Sequence, residues 1–311
     1  MSDYPVHIEI LPHVHLIRGE NRARFPEANC LLIDDEILTL VDAGSSMINI
    51  ETTFKDLDYS LQDLDRIVLT HFHIDHKGHA AHIQKVADCE LLCHPLAVDG
   101  VKTFSGMVDY YGIAGNKYYA SWRELLDQRF KHVAVDYNVT GTFDERKEID
   151  CGDVQLIPLH LPGHTLDHTC FGINDYQIIL LVDIDLTRFG PWYGNRVSDI
   201  EDFKASIEKV IAIQPKTGIS SHLINPVTDG LDERLKEYRM IFDQRETKIV
   251  DSIGRGINTI EKLAIQPTIY PRIPMDAYYV FEIFMLEKHI ELLEKNGRVA
   301  IENGILSLQK R

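Results

Sequence analysis

Alternating and continuous apolar runs divide the first two thirds of the chain into short elements. Val6–Arg18 and Ala28–Val41 read as paired strands, with the polar turn Asp34-Asp35-Glu36 between two apolar runs. Met47–Leu57 carries helical spacing, and Leu64–Leu69 returns to strand. Gly78–Val86 predicts a short helix, and Cys89–Cys93 a strand ending at His94-Pro95. Val154–Leu159, Thr169–Ile173 and Gln177–Val182 predict strands, and Ser198–Ile213 a helix opened by a serine cap. Two groups of strands with helices between and after them predict an α/β fold.

The pattern changes near residue 230, so residues 1–229 are expected to form one domain and 230–311 a second. Leu231–Ser252 is a long amphipathic stretch, Asn258–Leu263 a short capped helix, and Ala277–Lys295 another helix. Arg298–Ile301 and Ile305–Leu308 then read as a hairpin around Glu302-Asn303-Gly304.

Composition narrows the setting. The chain has 311 residues, 44% hydrophobic and 26% charged, as in ordinary soluble globular proteins, and is long enough for two domains. Met1–His7 lacks the basic and apolar regions of a secretory signal, and no apolar run reaches bilayer length. Cys30, Cys89, Cys93, Cys151 and Cys170 are odd in number and scattered, the usage of reduced thiols. These features set the expectation of a cytoplasmic protein. The formal charge is −16, and residues 231–311 hold 13 basic and 13 acidic side chains, so 1–230 carries all of it. Phosphate backbones need concentrated positive charge, so nucleic acid is not an expected partner.

The densest chemistry is Thr70-His71-Phe72-His73-Ile74-Asp75-His76, directly after the apolar run Arg66–Leu69. Alternation along an extended segment would put His71, His73 and Asp75 on one side, with His76 turning in where the chain bends toward a helix. Imidazoles and a carboxylate converging on one point suit zinc, with iron or manganese as alternatives. Downstream, Leu161-Pro162-Gly163-His164-Thr165 puts a histidine on a turn, Asp183 ends an apolar strand, and His222 follows Ile219-Ser220-Ser221. His79 and His82, three apart on the next helix, are expected at the surface or supporting the ligands.

T-H-F-H-I-D-H at 70–76, P-G-H-T at 162–165, Asp183 and His222 together resemble the metallo-β-lactamase superfamily. Val41-Asp42-Ala43-Gly44 is similar to that family's V-D-x-G segment. The resemblance implies an αβ/βα sandwich and two divalent metal ions. One would be held by His71, His73 and His164, the other by Asp75, His76 and His222, with Asp183 bridging. Asp42 would hold the ligand loop through hydrogen bonds without touching metal. Asp75 would also orient the nucleophile's proton, since a hydroxide between two cations forms near neutral pH.

Residues 96–150 depart from a compact core of that family. The stretch is rich in aromatics, Tyr111 and Trp122 among them, and is expected to form a mostly helical lid over the pocket, or else a helical satellite core or a dimer contact. His94, Arg188, Trp192 and Tyr193 are the candidate pocket residues. The order helix, helix, helix, hairpin after residue 230 is similar to the winged-helix-like C-terminal domain of the lactamase-beta-2 type. Three activities follow from the resemblance. The first is a glyoxalase II-like dinuclear hydrolase of a small ester, thioester or lactone, expected as a homo-oligomer, a homodimer. The others are a metal-dependent endoribonuclease or phosphodiesterase, and a persulfide dioxygenase with a single iron.

Overall fold

A computed structural model describes residues 4–266 and 268–309. Seven strands form the first sheet in spatial order: β1 (His7–Leu11), β2 (Val14–Ile17), β3 (Cys30–Ile33), β4 (Thr39–Val41), β5 (Arg66–Val68), β6 (Glu90–Cys93) and β7 (Gly141–Thr142). Pairs from β1 to β4 are antiparallel, whereas β4 to β7 run parallel. The second sheet holds β8 (Ile149–Asp150), β9 (Gln155–His160), β10 (Thr169–Ile173), β11 (Asp175–Val182) and β12 (Thr217–Ser220). Only β11 and β12 pair in parallel there.

Alternation in β3 shows why these elements stack as layers. Leu31 and Ile33 join a core shared with Phe171 and Ile179 of the second sheet, while Cys30 and Leu32 face the other way. That outer face is covered by α1 (Met47–Asp56), α2 (Ile74–Lys77) and α3 (Ala80–Ala87), through residues such as Ile50, Phe54 and Ile83. With both faces covered, the central strands are apolar apart from Thr39 and Arg66 at the starts of β4 and β5.

Residues 96–150 contribute α4 (Val98–Lys102), α5 (Phe104–Tyr111) and α6 (Tyr119–Arg129). Met107, Tyr111, Trp122 and Leu126 are buried in the core beneath the first sheet. On the far side lie α7 (Ile200–Ile213) and α8 (Leu231–Gly254), with Phe203 against Phe242 at 5.5 Å. The helix expected from Ser198 is capped instead by Asp199, whose side chain accepts from Asp202 N–H. The chain ends with α9 (Ile260–Ala264), α10 (Tyr279–Lys295) and the hairpin β13 (Val299–Glu302) and β14 (Ile305–Leu308). Phe242, Ile249, Met285, Leu293 and Leu306 belong to the same apolar cluster as both sheets, so residues beyond 230 pack into the main core.

One expectation about the histidine-rich segment is corrected. The strand stops at Val68, and the chain turns into helix at Ile74, with His73 at the cap position. Asp75 therefore projects from a helical turn rather than alternating with His71 and His73 along an extended segment, while His76 lies where the chain turns into helix, as expected. The backbone of 42–44 locks that turn: Ala43 N–H donates to His76 O and His79 N–H to Ala43 O, both at 2.8 Å. A Cβ on Gly44 would lie 1.5 Å from the Asp75 carbonyl oxygen. Gly44→Ala should therefore lower unfolding free energy by about 1–3 kcal/mol or more, read by urea denaturation.

Candidate metal centre

The ligand-type side chains sit where strands release the chain. Asp42 follows β4, His71 and His73 follow β5, Asp183 follows β11 and His222 follows β12. His164 sits on the turn between β9 and β10. Gly163 has φ of +126°, and a Cβ there would fall 2.2 Å from Phe203 backbone, so only glycine lets this turn press onto α7. Asp183 is aimed by a bulge: register shifts between Leu180 and Val182, and Val182 has φ of +53°, a strained value for a β-branched residue.

Two adjoining groups result. His71, His73, His164 and Asp183 form one, and Asp75, His76 and His222 the other, with ligand atoms in each group within 4.8 Å of one another. Asp183 links them: Oδ2 is 2.9 Å from His164 Nε2, while Oδ1 is 3.1 Å from His76 Nε2 and 3.4 Å from His222 Nε2. His222 Nε2 is also 3.7 Å from Asp75 Oδ2. His73 Nδ1 and His164 Nε2 are 2.9 Å apart. Ligands about 2.0–2.1 Å from a tetrahedral zinc lie about 3.3 Å from each other, so these spacings suit a shared cation.

The opposite ring nitrogens are held from outside. His76 Nδ1 meets Asp42 Oδ2 at 2.7 Å, His164 Nδ1 meets Trp192 O at 2.8 Å, and His222 Nδ1 meets Ala23 O at 2.7 Å. A proton fixed on each Nδ1 leaves each Nε2 lone pair facing inward, as metal-binding imidazoles require. Asn195 stands 3.2 Å from His73 Nε2, leaving Nδ1 as the inward atom of that ring. His71 Nε2 is buried without a hydrogen-bond partner, and His76 Nε2 and Asp183 Oδ1 meet only ligand-type groups at the same focus, so an ion there would satisfy all three. Burial and neighbouring imidazoles hold His71 and His73 well below the usual histidine range, so both are neutral donors. For His76, burial pulls downward, but the Asp183 and Asp42 carboxylates outweigh it and raise its affinity for positive charge. The residues present therefore fit a pair of divalent cations.

Several supporting residues leave little trace in the sequence. His168, four after His164, is buried; its Nδ1 meets Leu161 O at 2.9 Å and its Nε2 accepts from Asp183 N–H at 3.2 Å. Burial holds His168 down at about 3, so it stays neutral and orients the Asp183 backbone. The spacing His164-Thr165-Leu166-Asp167-His168 is its only signal. Tyr238 of α8 donates to Asp183 O at 3.1 Å, a contact no local pattern announces.

The pocket candidates separate. Trp192 stands edge-on to His73 at 5.3 Å and donates to Tyr270 OH at 2.7 Å. Tyr111 of the inserted segment stacks on His73 at 5.1 Å with planes 15° apart. Arg188 is exposed. Tyr193, expected in the pocket, is fully buried instead, its hydroxyl 2.7 Å from His289 Nε2 and its ring packed on Phe242. Its direction reverses because Arg245 gathers Tyr193 OH with Pro191 O and Phe189 O into the core. His94 also lies outside both metal groups; it stacks on His160 at 4.3 Å, near Glu145. Rings stacked 18° from parallel present their edges side by side, and His160 Nε2 is occupied by Leu166 O. His79 caps α3 and stacks on His132 at 4.3 Å.

Asp42 joins three partners at once: Thr70 N–H at 2.9 Å, Thr70 Oγ1 at 2.8 Å and His76 Nδ1. Asp42→Ala should weaken zinc affinity about 10–100-fold, measured by chelator competition, because His76 loses its tautomer lock.

Known proteins share this architecture. A family model described as the metallo-beta-lactamase superfamily matches residues 24–222. A metallo-beta-lactamase fold-containing protein from Sulfurisphaera tokodaii is 25% identical over 245 residues, 74% of this chain and 85% of that protein. An atrochrysone carboxyl ACP thioesterase from Claviceps purpurea is 23% identical over 254 residues, 79% of this chain and 67% of that one. A metallo-beta-lactamase family protein from Thermus thermophilus superposes with TM-score 0.75 at 19% identity, covering 97% of this chain and all of that one. A beta-lactamase domain protein from Burkholderia ambifaria gives 0.70 at 18% identity, over 97% and 94%. The fold correspondence thus extends through the C-terminal helices, while the family model spans most of the two sheets and their ligand turns. By that match the chain belongs to the metallo-beta-lactamase superfamily, a metal-dependent hydrolase fold.

Proposed function

We propose that this protein is a dinuclear metal hydrolase of a small ester, thioester or lactone. His71, His73 and His164 would hold one ion, Asp75, His76 and His222 the other, and Asp183 would bridge them. The observation that carries the reading is the convergence of these seven side chains into two adjoining groups that share Asp183. Zinc is favoured by the imidazole-rich donor set, with iron or manganese as alternatives. When bound, such ions polarise a carbonyl oxygen and lower the pKa of water from about 15.7 toward about 7.

The chain's own residues would do the rest. Asp75, buried between His76 and His222, can hold a proton of the attacking water at a carboxylate oxygen and orient its lone pair toward the carbonyl. Tyr111 and Trp192 fix the His73 ring and exclude water from that side. The aromatic wall around His73 favours an uncharged acyl group. The name of the Claviceps purpurea relative describes a thioesterase, which supports thioesters as the first substrates to try. The region beyond residue 230, proposed as winged-helix-like, would brace the site rather than bind nucleic acid. Lys288 there donates to Ser198 O at 2.5 Å and Lys295 pairs with Glu201, so these cations are spent within the molecule.

Elemental analysis of protein purified without added metal should give two ions per chain. A panel of ester, thioester, lactone and RNA substrates should show turnover on the first three classes only. Asp183→Ala should lose bound metal and reduce kcat/KM at least about 1000-fold, since both groups lose their common ligand. Retention of two ions by that variant would contradict the bridging role, and a single iron would move the reading to the persulfide dioxygenase.

A further inference from the structure

Strand β12 ends at Ser220, so the backbone carbonyls around His222 must find donors elsewhere. Two buried side chains supply them. Asn29 donates from Nδ2 to Ser220 O at 3.0 Å and to Leu223 O at 2.6 Å, and its backbone N–H donates to Ser221 O at 2.7 Å. Its Oδ1 accepts from Gly19 N–H at 3.2 Å, which fixes the orientation of the amide. Arg18 donates from Nε to Ile224 O and from Nη2 to Asn225 Oδ1, both at 2.8 Å. Each residue of 220–225 other than His222 is thus held by Arg18 or Asn29. His222 itself meets Ala23 O through Nδ1. Arg22 and Ala23 have φ of +55° and +56°, so the chain takes a left-handed bend to present that carbonyl.

The same segment backs the other two ligands of that group. Ala28 N–H donates to Gly44 O at 3.2 Å, and Arg18 O accepts from Ser45 Oγ at 2.9 Å and from Asn49 Nδ2 at 2.6 Å. Gly44 is the residue against which the turn of Asp75 and His76 rests. The neighbouring group has a different frame. Asn195 and Ser198 donate to His164 O, Asn195 Nδ2 stands at His73 Nε2, and Trp192 O meets His164 Nδ1.

We propose that Asn29 and Arg18 are positioning residues for the cation of Asp75, His76 and His222, so that segment 18–29 sets the affinity of that ion while segment 192–198 frames the other. The inference rests on the dinuclear reading and divides it into two separately framed sites. Asn29 and Arg18 act through the carbonyls that aim His222. Without the amide, Ser220 O and Leu223 O lose their donors, the loop shifts to find others, and the imidazole leaves the short range of about 2.0–2.1 Å that a metal–nitrogen bond requires. Partners of this kind, one bond removed from the metal, are typically worth about 10–100-fold in affinity.

The test is stepwise zinc titration of the metal-free full chain by chelator competition, repeated with cobalt and followed by visible absorption. The parent should bind two ions, and the step that His222→Ala abolishes marks this site. In Asn29→Ala that step should weaken at least about tenfold, while the other step stays within about twofold and keeps its cobalt spectrum. Arg18→Lys retains the charge and the stem but loses the planar fork, and should give the same selective loss. It carries the test if melting temperature shows Asn29→Ala to be unfolded. Equal weakening of both steps would mark the two residues as merely structural and overturn the assignment, as would unchanged affinities in both variants. A parent chain saturated by a single ion would reject the dinuclear reading itself, and this inference with it.

Discussion

Burying carboxylates is costly unless positive charge meets them, and that cost organises this molecule. Asp42, Asp75 and Asp183 all lie in the interior beside a crowd of imidazoles, two of which burial keeps neutral. The effective penalty is several kcal/mol per uncompensated ion. His71 Nε2 is left without a hydrogen bond, while His76 Nε2 and Asp183 Oδ1 face each other at 3.1 Å and the carboxylates draw positive charge onto His76 and His222. Cations placed at the common focus would satisfy all of these atoms together.

Much of the surrounding fold holds that focus in place. Val182 accepts a left-handed backbone so that Asp183 turns inward, and His168 and Tyr238 then pin its N–H and C=O. The absence of a side chain at Gly44 lets the ligand helix sit against the Asp42 segment, and Asp42 reaches across to His76. Trp192 ties His164 to Tyr270 in the C-terminal region. The last quarter of the chain is thus mechanically part of the site, and it shares the core of the two sheets.

The metal-type residues are legible in the sequence because they crowd into one short segment and recur at strand ends, and the apolar runs mark most strands correctly. Long-range geometry is hidden. Nothing local says that Ile74 starts a helix, because the turn is imposed by Ala43 and Gly44 some thirty residues earlier. Tyr193 reads as a pocket wall beside Trp192, yet Arg245, 52 residues later, draws its hydroxyl into the core. His168 escapes notice because a buried supporting histidine and an ordinary one carry the same local pattern. Asn195 gives no signal at all, since its neighbour His73 lies 122 residues away.

The central claim is that seven side chains from four turns enclose two cations joined by Asp183. Anomalous diffraction at the zinc edge from crystals of protein loaded with zinc tests it most directly. Two peaks about 3.5–4 Å apart, one within reach of His71, His73 and His164 and one within reach of Asp75, His76 and His222, are expected. Peaks only at surface residues, or an empty centre at saturating zinc, would contradict the account.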